Sequence, residues 1–162
     1  MNRAFLSLGS NLGDCLGYLR AAADALARAP RTSFAGASKV YETEPVEVEE
    51  DQPDYLNCVV RLDCDLAAVE LLRYCQGIEA ALGRERKGEK SPRTVDVDIL
   101  LVGDLVMETP DLVVPHPGIG RAFNLRGLAD LDPDLYVPGR GNVTDMLAEA
   151  DLDGVREVGA LC

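Results

Sequence analysis

From Ser91 to Leu101 the chain alternates apolar and acidic residues in a way that admits one local structure. Val95, Val97 and Ile99 share one parity, and Asp96 and Asp98 share the other. That is the period of a β-strand, not of a helix. Such a strand buries one face in a core and turns two carboxylates away from it. At about 3.3 Å per residue, the two acids stand roughly 6–7 Å apart. Paired acids beside an apolar core are costly unless a cation joins them. Mg²⁺ suits the pair: it takes few protein carboxylates, keeps several waters and accepts phosphate oxygens from a substrate. Arg84, Arg86, Lys87, Lys90 and Arg93 lie just upstream, five of the 16 basic residues within ten positions. Charge alone would permit a solvated loop; the neighbouring acids favour one that faces phosphate.

The remaining periodicities build a frame around this strand. Arg3–Gly9 reads as a first strand, and Gly9-Ser10-Asn11-Leu12-Gly13-Asp14 as a turn that starts a helix. Leu16, Leu19, Ala23 and Leu26 carry that helix to about Ala29. A second strand is predicted from Phe34 to Thr43, and a third from Tyr55 to Leu66. In the third, Leu56, Cys58, Val60, Leu62, Cys64 and Leu66 form an apolar face; Asn57 lies on the other. A second helix follows, with Val69, Leu72, Cys75, Ile78 and Leu82 as its buried stripe and Gly83 as its stop. The order βαββαβ is ferredoxin-like: an antiparallel sheet with both helices on one face. Asn57, Asp96 and Asp98 then share the opposite face, where a ligand site is expected. Gly103-Asp104 reads as a hairpin turn into Leu105–Met107. Helices over Phe123–Leu131 and Val143–Ala150 would wall the site, making a three-layer α/β/α sandwich. The last dozen residues carry no motif.

At 162 residues the chain is expected to form one domain. Its net charge of −12 argues against binding nucleic acid or an anionic membrane. The first apolar run is too short for a signal peptide, so a cytoplasmic protein is expected. Five cysteines without a CxxC, and a single histidine, argue against zinc; Cys58 and Cys64 read as core residues.

Several segments, taken together and in order, resemble the 7,8-dihydro-6-hydroxymethylpterin pyrophosphokinase family. They are Gly9-Ser10-Asn11; Tyr41-Glu42-Thr43 with Pro45; Asp51 through Asn57; Glu79 with Leu82 through Arg86; Pro92 through Leu101; and Val114-Pro115-His116-Pro117. The resemblance implies transfer of diphosphate from ATP to a reduced hydroxymethylpterin, releasing AMP. It implies two Mg²⁺ ions on Asp96 and Asp98, and catalytic roles for Arg84, Arg93, Asp96 and Asp98. It implies a pterin pocket of Asn11, Thr43, Pro45, Val46, Tyr55, Asn57 and Phe123. It implies an ATP side of Leu72, Gln76, Glu79, Arg84, Arg86, Arg93, Ile99, His116 and Arg121. A monomer with small-molecule substrates is expected.

The residues leave other readings open. By spacing alone, Leu72, Ile99 and Phe123 suit a core, Glu79 a solvated helix face, and His116 a loop. A non-catalytic pterin- or nucleotide-binding module would keep Tyr55 and Asn57 but would not need the acids. A Mg²⁺-dependent phosphohydrolase would need a water-positioning residue, and no clear one is visible. The loop 84–93, with Gly88, Ser91 and few apolar anchors, is expected to close over bound substrates.

Overall fold

β1 (Asn2–Ser10) is buried from Ala4 onward. Ala4, Leu6 and Leu8 enter one core and Phe5 another. A strand with apolar residues of both parities belongs in the middle of a sheet covered on both faces. The computed structural model, which describes residues 2–44, 53–83 and 94–161, places it there. The expectations at Pro45, Val46, Arg84, Arg86 and Arg93, and closure of the 84–93 loop, lie outside the described residues.

β4 (Tyr55–Cys64) and β5 (Asp96–Val102) flank β1, both antiparallel to it. Next to β4 come β2 (Thr32–Ala37) and β3 (Lys39–Thr43), and beyond β3 comes β10 (Val155–Ala160). The single second strand expected from Phe34 to Thr43 is therefore two, broken at Ser38. The break costs little, because the Ser38 hydroxyl accepts from the Val59 N–H and donates to the Lys39 carbonyl, both at 2.8 Å. β10 arises from the stretch without a motif. Its place is set by an open edge on β3, a long-range property that local pattern does not carry.

Two helices cover one face. The Asp14 carboxylate accepts from the Gly17 N–H at 3.0 Å and starts α1 (Cys15–Ala27). Glu70 accepts from the Ala67 N–H at 3.0 Å in the first turn of α2 (Ala68–Ala81). Their apolar stripes pack on Cys58, Val60, Leu62, Cys64, Val97 and Ile99, as the strand parity requires. One stripe residue is corrected: Val69 is 43% exposed, and Leu71 is buried instead. The helix begins at Ala68, and a 3.6-residue period from there turns 71, 72, 75 and 78 inward but 69 outward.

The other face carries α3 (Ala122–Leu131) and α4 (Val143–Glu149), with a second core of Phe5, Val59, Leu100, Leu101, Ile119, Leu125 and Leu128. Leu100 is an extra residue in β5: Leu6 pairs with Ile99 and Phe5 with Leu101. This bulge turns two consecutive leucines to the α3 side. The Gly103-Asp104 turn exists, but the hairpin expected directly from it does not. Met107–Glu108 (β6) pairs with Val113–Val114 (β7) in a separate two-stranded ladder. The loop between them is closed by Thr109, whose N–H and hydroxyl meet Leu112 at 3.0 Å. Tyr136–Val137 (β8) and Gly141–Asn142 (β9) make a similar small ladder before α4.

Candidate active site

The sheet register aligns the predicted polar residues in rows. Tyr41, Asn57, Gly9 and Asp96 face one another across β3, β4, β1 and β5. The next row is Val59, Ser7 and Asp98. Strands lie about 4.8 Å apart, so the backbones of Asn57 and Asp96 are roughly 10 Å apart with only Gly9 between. A Cβ at position 9 would fall 2.8 Å from Asn57 Oδ1 and 3.7 Å from the Tyr55 ring. The Asn57 amide therefore lies over the glycine. Asn57 is only 6% exposed, and its Nδ2 donates to Thr43 Oγ1 at 2.8 Å. That bond orients the amide so that its carbonyl and second N–H remain for a ligand edge. Asn11, also buried, donates from Nδ2 to the Pro53 carbonyl at 3.3 Å and ties the first turn to the start of β4.

Tyr55 and Phe123 are half-buried and belong to neither core, although an aromatic in the first turn of α3 would ordinarily enter one. The path of α3 explains where Phe123 goes. A Cβ on Gly36, which pairs with Arg61, would touch Leu131; one on Gly127 would lie 2.4 Å from Val59 Cγ2. One further helical turn, about 5.4 Å, carries the axis toward the Asn57 row with Phe123 on it.

Asp96 and Asp98 are half-exposed on the face opposite Val95, Val97 and Ile99. The β5 bulge brings His116 to them. The carbonyl of the extra residue, Leu100, accepts from the His116 N–H at 3.0 Å. The His116 ring accepts at Nδ1 from the Gly118 N–H at 2.9 Å. An accepting Nδ1 puts the neutral ring's proton on Nε2, which stands 4.0 Å from Asp98 Oδ1.

The remaining residues expected on the nucleotide side separate. Glu79 is 3% exposed, so it is no solvated helix residue; its carboxylate accepts from the Val97 N–H at 3.0 Å. Leu72 and Ile99 lie in the core under the helices, while Gln76 and Arg121 are exposed.

Sequence reasoning missed a partly buried polar pin between β3 and α3. The Tyr41 hydroxyl donates to Asp130 at 2.5 Å, and the Arg126 guanidinium lies 4.8 Å from the Tyr41 ring centre. Burial, reinforced by the Asp130 carboxylate, pushes the Tyr41 phenol up to about 12. The partners are 89 residues apart, and nothing local marks them.

Comparison with known proteins bears on the chain as a whole. The sequence profile of 7,8-dihydro-6-hydroxymethylpterin-pyrophosphokinase (HPPK) matches residues 5–133. The chain is 39% identical over 159 residues to the 2-amino-4-hydroxy-6-hydroxymethyldihydropteridine pyrophosphokinase of Pseudomonas aeruginosa, covering 98% of both. It is 40% identical over 156 residues to the Bacillus subtilis protein of the same name, covering 96% of this chain and 89% of that one. Its fold superposes on a Plasmodium falciparum HPPK-DHPS crystal structure with a TM-score of 0.73 at 15% identity. That match covers 97% of this chain but 47% of the larger one, so the chain spans under half of that protein. From the profile match and near-complete coverage by its relatives, the chain belongs to the 7,8-dihydro-6-hydroxymethylpterin-pyrophosphokinase family, enzymes of folate biosynthesis.

Proposed function

We propose that this enzyme moves the diphosphate of ATP onto the hydroxymethyl oxygen of the reduced pterin and releases AMP. The observation that carries the reading is the row Asn57–Gly9–Asp96. It sets an amide able to read a heterocycle edge beside a carboxylate able to hold a metal, on one face and with no side chain between them.

In this reading Asn57, oriented by Thr43, pairs with the pterin edge. Tyr55 and Phe123 stack on its two faces, and the proposed pterin-binding set is completed by Asn11, Pro45 and Val46. The nucleotide lies toward β5, with Gln76 and Arg121 accessible at its border and Leu72, Glu79 and Ile99 firming the edge beneath. Among the described residues no group of three or more His, Cys, Asp or Glu gathers. A donor set of two half-exposed carboxylates fits Mg²⁺, which fills its shell with water and phosphate oxygens. Two Mg²⁺ ions held by Asp96 and Asp98 would neutralise charge on the phosphates and orient them. The protein's own work is alignment. Arg84, Arg86 and Arg93 grip the phosphates, and His116 offers Nε2–H from the Asp98 side. Asp96, in the pterin row, is the carboxylate placed to take the hydroxyl proton as the oxygen attacks the β-phosphorus. Because one chain supplies both pockets, a monomer suffices. No helix among the described residues is long and apolar enough to cross a membrane, and we infer a cytoplasmic setting.

The test incubates the protein with Mg²⁺, ATP and the reduced pterin and separates the nucleotides. AMP should form in step with pterin diphosphate; pterin-dependent ADP would overturn the reading. Asp96→Ala and Asp98→Ala should each lower turnover roughly a hundredfold or more while leaving the fold intact. The double variant should lose less than the product of the two.

A further inference from the structure

The segment bearing His116 and Arg121 is a single 3₁₀ turn, Pro117–Gly120, too short to hold its own shape. Gly118 is its pivot, and glycine gives least resistance to rotation about its backbone bonds. The imidazole and the guanidinium both lie against this residue. A Cβ there would come within 3.2 Å of His116 Nδ1 and 3.6 Å of Arg121 Nε. Two donors hold the Gly118 carbonyl: the Arg121 N–H at 3.1 Å and Asn124 Nδ2 at 2.9 Å. On its other side, the Gly118 N–H donates to His116 Nδ1.

Asn124 reaches this turn from α3 and is 4% exposed. Its own Oδ1 is buried without a hydrogen-bond partner. The amide cannot be turned to relieve that, because Oδ1 would then stand at hydrogen-bond distance from the Gly118 carbonyl oxygen, acceptor against acceptor. A half-satisfied amide is a poor choice for filling space, since an apolar residue of the same size would pack there without the desolvation cost.

We propose that Asn124 is a positioning residue for the reaction: it locks the Gly118 pivot so that His116 keeps Nδ1 as an acceptor and presents Nε2–H to the phosphates. The relay runs from α3 through Gly118 to His116 and ends beside Asp98. This rests on the reading that His116 faces the nucleotide.

Asn124→Leu keeps the volume and removes the donor; Asn124→Asp keeps the shape and sets a carboxylate against the Gly118 carbonyl. In both, KM for ATP should rise roughly five- to tenfold, the scale of one lost hydrogen bond, while KM for the pterin stays within about twofold. The chain has one histidine, so nitrogen NMR reads its tautomer without ambiguity. With the ring neutral, the native protein should show a single Nε2–H form, and the variants a mixture. An unchanged tautomer overturns the proposal, as does a loss in both KM values that merely follows a fall in Tm. His116→Ala separates the two layers. If it leaves KM for ATP unchanged, the assignment of His116 to the nucleotide fails, while the tautomer still decides whether Asn124 positions the ring.

Discussion

A single amide bond decides how Asn57 works. Its Nδ2 is held by Thr43 Oγ1 at 2.8 Å, and its Oδ1 occupies the space that a side chain at position 9 would take. Asn57→Ala should weaken pterin binding by about 1–3 kcal/mol, the cost of leaving a buried ligand edge unpaired. ATP binding should change little, because Asp96 and Asp98, the carboxylates proposed to hold the phosphates' metal, sit across Gly9 on β5. Calorimetry with each ligand checks this; equal losses for both would contradict the assignment. The same reasoning separates Glu79 from Asn57. Glu79 accepts from the Val97 N–H of β5, the outermost strand on its side of the sheet. It satisfies a backbone donor that an edge strand would otherwise leave unpaired.

Helix α3 is pressed against the sheet more closely than any side chain at position 127 would permit. A Cβ there would meet Val59 Cγ2 at 2.4 Å, Val59 Cβ at 2.9 Å and Ser38 Oγ at 3.2 Å. Two opposed effects bear on Gly127→Ala. Alanine gains about 1 kcal/mol in helix propensity. Forcing a methyl into a filled contact costs about 1–3 kcal/mol, and Val59 is itself buried in the second core and cannot swing away. Overpacking should win, with net destabilisation of about 1–2 kcal/mol in urea unfolding. Val59→Ala in the Gly127→Ala background should recover part of it, the signature of a direct contact. Because Phe123 rides on α3, the variant should also raise KM for the pterin. A rise in stability would show that the helix has room to lift.

Across the whole molecule, β3 and α3 are joined by the partly buried Tyr41–Asp130 bond, with the Lys39 N–H donating to the same carboxylate oxygen at 3.3 Å. The Tyr41 phenol is pushed from 10.0 to about 12, first by burial and then by Asp130. A group that binds its proton more tightly when folded adds stability that is complete below its unfolded value. That contribution is lost as pH rises from about 10 toward 12. One of the five tyrosines should therefore ionise only near pH 12, together with unfolding. Tyr41→Phe should remove that step from the tyrosinate absorbance curve and flatten the alkaline limb of stability. Asp132 shows the opposite sign. Arg3, donating at 2.5 Å, holds its carboxyl below the usual range, so its small, solvent-screened contribution is lost as pH falls.

What the sequence determined by itself is whatever depends on neighbours along the chain. Alternation assigned β4 and β5 their faces, because side chains in a strand must alternate. It thereby put Asn57, Asp96 and Asp98 on the side away from α1 and α2. Among the described residues, periodicity located α1 and α2 and missed the phase at Val69, and the segments read as helices near Phe123 and Val143 became α3 and α4. The resemblance to the family supplied the candidate site residues before any distance was known. Tertiary structure decided whatever depends on pairing. The bulge at Leu100 turns two leucines to one face and supplies the carbonyl that docks His116. The open edge of β3 recruits Val155–Ala160, a segment with no pattern of its own. The close approach at Gly127 and the Tyr41–Asp130 bond fix α3 over the Asn57 row. These contacts join residues as far apart in sequence as Lys39 and Ala160. Their energy comes from filling space and satisfying buried polar groups, and neither requirement leaves a trace in the local order of residues.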